Sequence, residues 1–311
     1  MLDVRHDLLA VADLIELCFA RTMDEDGEIY LRHMRQAAQD ASFLHWAAGI
    51  TDRSAMPLSG YVWEVDGRIV GNLSLIPLVR QGRRVYLIAN VAVHPDFRQR
   101  GIGHTLTETA IEHVRQRQST AVWLQVRQDN PAALHLYQTL GFVERARRTT
   151  WQASPHQAKK TTPLPASLVI TNRRSQDWDL QRTWLSSIYP PEVAWNLPIN
   201  PQSFKPDWLG DLFRFFNNAS TRHWAAHLNG QVLGVLTWEP ARMAADNLWL
   251  ATTPGQENTV IRNLLPYAMQ ALAPYRPVAL NYPAGCAEDA FVDAGFRNHQ
   301  VLIWMEILFK A

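Results

Sequence analysis

Cysteine is nearly absent. Cys18 and Cys286 are the only two in 311 residues, and they lie far apart. Two such residues make no disulfide scaffold, metal knuckle or redox pair, so the expectation is a reducing, cytoplasmic setting. Excess charge is missing as well. With 30 basic and 29 acidic residues the net charge is +1, and no net basic field draws the chain to nucleic acid or anionic lipid. No stretch reaches the roughly 18 apolar residues of a membrane span. The start of the chain, with Asp3, Arg5, His6 and Asp7, lacks the basic-then-apolar pattern of a secretory leader. Disorder of the whole chain is excluded by a hydrophobic content of 47% against 19% charged. At about 150 residues per domain, the length suggests two domains.

Leu8, Val11, Ala12, Ile15, Cys18 and Phe19 repeat at helical spacing and predict an amphipathic first helix, with Cys18 on its buried face. The acidic run Asp24 to Glu28 follows and reads as a solvated loop, with attraction of a cationic amine as the alternative. Tyr61 to Leu75 is a hairpin turned at Asp66-Gly67. A third strand is expected over Val85 to Val93, then a helix after Gly103, then a strand from Ala121 to Val126. Asn130-Pro131 has the form of an N-cap followed by proline at the first helical position, and Gly141 sits where a C-terminal cap belongs. Phe142 opens a further strand.

Residues 152–167 are polar and rich in proline, and read as a linker. Beyond them the first pattern returns faintly. Trp224 to Trp238 repeats the hairpin with its turn at Asn229-Gly230, and Ala290 to Phe296 repeats Leu136 to Phe142. The hairpin glycines are offset by 230 − 67 = 163 and the cap glycines by 295 − 141 = 154, so the second copy is about nine residues shorter between those landmarks. A duplicated fold is expected.

Chemistry concentrates in Asn90 to Thr105. A strand runs into a loop carrying Arg98, Arg100, Gly101 and Gly103, and a helix starts at once. Such a loop is an anion cradle: glycines expose backbone N–H groups, the helix N-terminus adds about half a positive charge, and arginines add charge-assisted hydrogen bonds. It fits a phosphate or pyrophosphate. It lacks the third glycine and acidic ribose ligand of a dinucleotide fingerprint and the G-K-[ST] of a P-loop. His94, His104 and His135 have no Cys or carboxylate partner at metal-ligand spacing, so no metal site is expected.

Arg98-x-x-Gly101-x-Gly103, preceded by Val91-x-Val93-x-Pro95, resembles the acetyl-CoA-binding motif of the GNAT N-acetyltransferase superfamily. Asn130-x-x-Ala133-x-x-Leu136-Tyr137-x-x-x-Gly141-Phe142 resembles that family's second motif. The resemblance implies an α/β fold of two tandem GNAT-like domains, each a mixed, twisted sheet flanked by helices. The complete copy is expected over 1–152, the linker over 153–167 and a degenerate copy over 168–311. It further implies that backbone groups of Val91 and Val93 pair with the pantetheine arm. Arg98, Gln99, Arg100, Gly101, Ile102, Gly103, His104 and Thr105 then surround the pyrophosphate, Asn130 contacts the CoA arm, and Tyr137 is the general acid toward the leaving thiolate.

The function implied is direct transfer of an acetyl group from acetyl-CoA to an amine of a small molecule or peptide in a ternary complex. The alternative is a non-catalytic acyl-CoA-binding sensor or scaffold. One family feature is missing: the strand ending at Val93 has no glutamate to serve as general base, and Asn90 cannot keep a proton. In the second copy, 248–260 has no arginine and carries Glu257 where phosphate would sit, while Phe291 stands at the place of Tyr137. That copy is expected to bind no CoA. The sequence leaves the acceptor and the oligomeric state open.

Overall fold

The computed structural model describes residues 1–40, 59–80, 82–154, 167–206, 221–241, 244–273 and 275–309. Two compact units divide the chain, Met1–Arg145 with Ile303–Ala311, and Ala146–Leu302. The expected linker falls largely on 155–166, outside the described residues.

In the first unit, α1 (Leu8–Phe19) and α2 (Glu25–Gln39) precede the strands β1 (Ser59–Val65), β2 (Arg68–Arg80) and β3 (Arg83–Val93). Then come α3 (Ile102–Gln116), β4 (Ala121–Arg127) and α4 (Pro131–Thr139). β1, β2 and β3 form an antiparallel meander, and β4 joins β3 in parallel. Successive residues of a strand face opposite sides of a sheet. Accordingly Val91 and Val93 pack with Leu106, Ala110 and Val114 of α3, whereas Ala92 packs with Leu8, Val11 and Ile15 of α1 and with Leu31 and Met34 of α2. The sheet is thus covered on both faces.

The acidic run is not a loop. It is the first turn of α2: the Asp24 side chain accepts the Gly27 N–H at 3.0 Å, and Glu25, Asp26 and Glu28 lie beside the positive end of the helix. Removing this cap by Asp24→Ala is expected to cost about 1 kcal/mol of stability, read by urea denaturation.

The second unit repeats the plan. β6 (Leu168–Asn172), α5 (Trp178–Ile188) and the short α6 (Pro191–Ala194) lead to the hairpin β7 (Arg222–Leu228) and β8 (Gln231–Glu239). β9 (Asp246–Thr252), α7 (Glu257–Leu272), β10 (Val278–Pro283) and α8 (Glu288–Asp293) follow. β9 and β10 pair in parallel, as β3 and β4 do. The repeated hairpin glycine has a packing cause. A Cβ on Gly71 would meet Ile102 of α3 at 2.8 Å, and one on Gly234 would meet Val260 of α7 at 2.6 Å.

The units do not follow the expected division at 152. The strand after Gly141-Phe142, β5 (Val143–Ala153), runs mainly in the second unit, where it pairs antiparallel with β10 and buries Trp151 beside Leu280 and Tyr282. The last strand, β11 (Arg297–Leu308), follows Gly295-Phe296 and ends in the first unit, where Ile303 and Met305 enter the core and Glu306 pairs with Arg145 at 2.9 Å. Each half of the sequence gives its closing strand to the other unit.

Candidate active site

β3 and β4 are hydrogen-bonded only from Val85–Ala121 to Ile88–Leu124. Beyond that point β3 runs on to Val93 and β4 to Arg127 without pairing, so the two strands part like a fork and leave backbone groups of Val91 and Val93 along one edge. The fork begins at a bulge. Asn72 lies opposite Ala92 and Ser74 opposite Ala89, so the single residue Leu73 faces both Asn90 and Val91. Asn90 takes a left-handed φ of 52° to absorb the extra residue.

The cradle closes the mouth of this fork. A 3-10 turn over Pro95–Phe97 leads into Gly101, whose φ of 78° makes it the left-handed N-cap of α3. A Cβ there would meet nothing within 4 Å, so conformation rather than crowding requires glycine. Thr105 N–H bonds back to the Gly101 carbonyl at 2.9 Å. The preceding N–H groups of Ile102, Gly103 and His104 are the orphan donors of a helix start. Arg98 donates through Nε to the Val93 carbonyl, and Arg100 donates to the Asp96 carbonyl while lying 4.9 Å from the Phe97 ring. Both side chains are exposed. Gln99 has a left-handed φ of 61° within the same loop.

Cradle, fork and α4 meet. A Cβ on Gly103 would lie 3.5 Å from Leu136 and 3.7 Å from Val93. Tyr137 follows Leu136 on α4 and is 6% exposed, with its ring edge-on to Phe142 at 5.8 Å. Burial alone raises the pKa of its hydroxyl, which therefore stays protonated and able to donate throughout the neutral range. Asn130 caps α4 by accepting the Ala133 N–H at 3.2 Å. Cys18, expected as buried packing, is only half-buried, and its thiol donates to the Val93 carbonyl at 3.3 Å. Burial raises its pKa, which disfavours the reactive thiolate. His104 stands 3.9 Å from Glu108, and among the described residues no cluster of His, Cys, Asp or Glu could hold a metal ion.

Sequence reading missed a polar group at the fork. Tyr30, Asn72, Ser74 and Asn90 come from α2, β2 and β3 and are linked by hydrogen bonds. Two polar residues at alternate positions of the otherwise apolar β2 were the available hint.

The second unit forks at the same place, since β9 and β10 pair only as far as Leu248 and Leu280. Register fixes the equivalence: Gly71 faces Val93, Gly234 faces Thr252, and Val91 therefore corresponds to Leu250. Here the space is taken. The Leu250 N–H donates to the Tyr189 hydroxyl at 3.4 Å, and Tyr189 is buried edge-on to Trp249 and under the Arg148 guanidinium. Glu257 accepts the Gly255 N–H at 3.1 Å, so an acid of the chain itself sits at the start of α7. Phe291, at the place of Tyr137, is fully buried and stacked on Trp151 at 4.7 Å.

Comparison with known proteins agrees with this geometry. Residues 16–142 match the Acetyltransferase (GNAT) family. The chain is 40% identical over 81 residues to the ribosomal protein bS18-alanine N-acetyltransferase of Salmonella typhimurium, a match covering 25% of this chain and 55% of that protein. It is 37% identical over 94 residues to the mycothiol acetyltransferase of Tsukamurella paurometabola, covering 29% of this chain and 31% of that one. The match to the corresponding enzyme of Escherichia coli K12 covers 37% of its length, so the chain spans about half or less of these curated relatives. Among solved structures, a GCN5-related N-acetyltransferase from Sphaerobacter thermophilus aligns with a TM-score of 0.61 at 15% identity, covering 99% of this chain and 94% of that one, a likeness of fold. The strand fork and the glycine loop that follows it thus lie within the part of the chain, residues 16–142, that is similar to the acetyltransferase (GNAT) family.

Proposed function

We propose that the first unit transfers an acetyl group from acetyl-CoA to an α-amino group by direct attack in a ternary complex. The observation that carries this reading is the fork between β3 and β4, which opens onto the cradle and has Tyr137 packed in the same apolar cluster as Val91 and Val93. Backbone groups of Val91 and Val93 along the edge of the fork would hold the pantetheine arm as an added strand. The N–H groups of Ile102, Gly103 and His104, with Arg98, Gln99, Arg100, Gly101 and Thr105, would hold the pyrophosphate, and Asn130 the arm between them. Tyr137 gives its proton to the departing sulfur and is re-protonated from solvent. Thioester cleavage is the chemistry acetyl-CoA supplies when bound.

The acceptor class rests on two supports. No acid lies on β3, which favours an amine that is uncharged near neutral pH. A relative is named for acting on an alanine, whose only amine is its α-amino group. The test is incubation with acetyl-CoA and a pool of small amines and alanine-initiated peptides, with free thiol and acceptor mass both recorded. Thiol release with an acetylated acceptor supports transfer. Tight binding without release would favour a sensor instead.

The second unit is proposed to hold no CoA, because Tyr189 occupies the amide equivalent to Val91 and Glu257 the anion seat. Calorimetric titration is expected to saturate at one acetyl-CoA per chain. Two equivalent sites would contradict the plugged fork.

A further inference from the structure

The bulge at Asn90 arranges more than a bend in β3. Asn72 donates through Nδ2 to the Asn90 carbonyl at 2.9 Å, which ties down the left-handed residue. The Asn90 amide then spends both its hydrogens, on the Tyr30 hydroxyl at 2.8 Å and on Ser74 Oγ at 3.4 Å. Among the described residues Asn90 Oδ1 receives no donor and the Tyr30 O–H finds no acceptor, and both residues are only half-buried. Beneath them Asn72 is fully buried with its Oδ1 unpartnered, a cost of the kind tolerated at functional positions. Burial raises the Tyr30 pKa to about 12, so its hydroxyl remains a donor at neutral pH.

The chain contains its own control. In the second unit the register from Gly234–Thr252 to Thr237–Trp249 is unbroken, so the extra residue is gone and Val235 replaces Asn72. The amide pair and bulge occur in the copy that has the cradle and are absent from the copy whose fork is plugged.

We infer that Asn90 and Tyr30 form the seat of the acceptor, Asn90 Oδ1 accepting an N–H of the uncharged amine and Tyr30 donating to the oxygen of a carbonyl attached to the amine-bearing carbon. This inference rests on the acetyltransferase reading above. The seat selects an α-amino group next to a carbonyl, as at the first residue of a peptide, over a simple alkyl amine. Both residues position the nucleophile. The amine keeps its lone pair for the thioester carbon, the C–S bond breaks, the nitrogen sheds one proton to solvent, and the thiolate takes one from Tyr137. The products are one amide and one thiol.

Two variants separate the roles. Tyr30→Phe keeps the ring and removes the donor; Asn90→Gly removes the acceptor and tolerates the left-handed backbone. With an alanine-initiated peptide and with isopropylamine as acceptors, Tyr30→Phe is expected to lower kcat/KM about tenfold for the peptide, mainly through KM, and far less for the alkyl amine. Asn90→Gly is expected to lower both. Acetyl-CoA affinity should stay within about twofold in each variant, as befits residues outside the cradle. Equal losses on both amines in Tyr30→Phe, or no loss on either, would overturn the seat while leaving the transferase reading intact. Failure of the unaltered protein to acetylate any amine would overturn both.

Discussion

Gly103→Val is expected to weaken acetyl-CoA binding by at least about 100-fold in a protein that still folds. Gly103 lies in the first turn of α3, where the chain has ordinary helical geometry, so a side chain adds no backbone strain. A Cβ would touch Leu136 and Val93 only at van der Waals distance. Helix propensity favours the change, since glycine is the costliest residue there short of proline. The γ carbons of valine, however, cover the N–H groups that start the helix. Hydrogen bonds to a charged group contribute about 1.5–3 kcal/mol each, so losing two costs about 3–6 kcal/mol, or two to four decades in Kd. Gly101 gives a less clean result. Its φ of 78° would strain any β-branched residue, and a loss of binding would be mixed with a loss of fold. Calorimetry on Gly103→Val, with circular dichroism as the folding control, decides the matter. Unchanged affinity in a folded variant removes the cradle.

The loop and helix start from Arg98 to Thr105 were legible because their geometry is local. Glycine at a left-handed cap and orphan N–H groups at a helix start depend on a few consecutive residues, and Arg98 to Thr105 carry that pattern in order. The same holds for the hairpins at Asp66-Gly67 and Asn229-Gly230. What escaped was non-local. β5 and β11 follow equivalent Gly-Phe pairs, at Gly141-Phe142 and Gly295-Phe296, and both are alternating strands that would close either sheet. Nothing in their residues records which sheet each closes, so the exchange that moves the boundary from 152 to Arg145 was invisible. The plug by Tyr189 depends on a hydrogen bond to Leu250, 61 residues away in sequence. The Tyr30 and Asn90 pair is likewise separated by 60 positions. The acidic run was misread because Asp24 to Glu28 is as much a helix start as a charged loop. Its role was settled by the carboxylate of Asp24 turning onto the Gly27 N–H.

Tyr137→Phe is expected to lower kcat by tens- to thousands-fold while acetyl-CoA affinity and stability barely move. Positioned proton donors contribute about 10²–10⁴-fold, and a thiolate, being a better leaving group than an amide or alkoxide, needs the lower part of that range. Stability should hold because the hydroxyl has no hydrogen-bond partner to abandon among the described residues, and burial is what raises its pKa. The amine side of the reaction has no such donor or base on β3, so its cost falls on the acceptor itself. A lysine-like amine with pKa about 10.4 stands about 3.4 units above pH 7, and deprotonating it costs about 4.6 kcal/mol. An α-amino group at about 7.7–8.0 costs only about 1.0–1.4 kcal/mol. The difference of about 3.4 kcal/mol amounts to more than two decades in rate. For matched peptides bearing either a free α-amine or a free lysine, kcat/KM at pH 7 should therefore favour the α-amine by more than about 100-fold. The gap should narrow as pH rises, because only the lysine-like amine still gains uncharged form above pH 8. Tyr137→Phe should lower both curves together without changing their shape, since its proton goes to sulfur and its own ionisation lies above the range. Efficient use of the lysine peptide at pH 7 would refute the selectivity. Full activity in Tyr137→Phe would refute the acid.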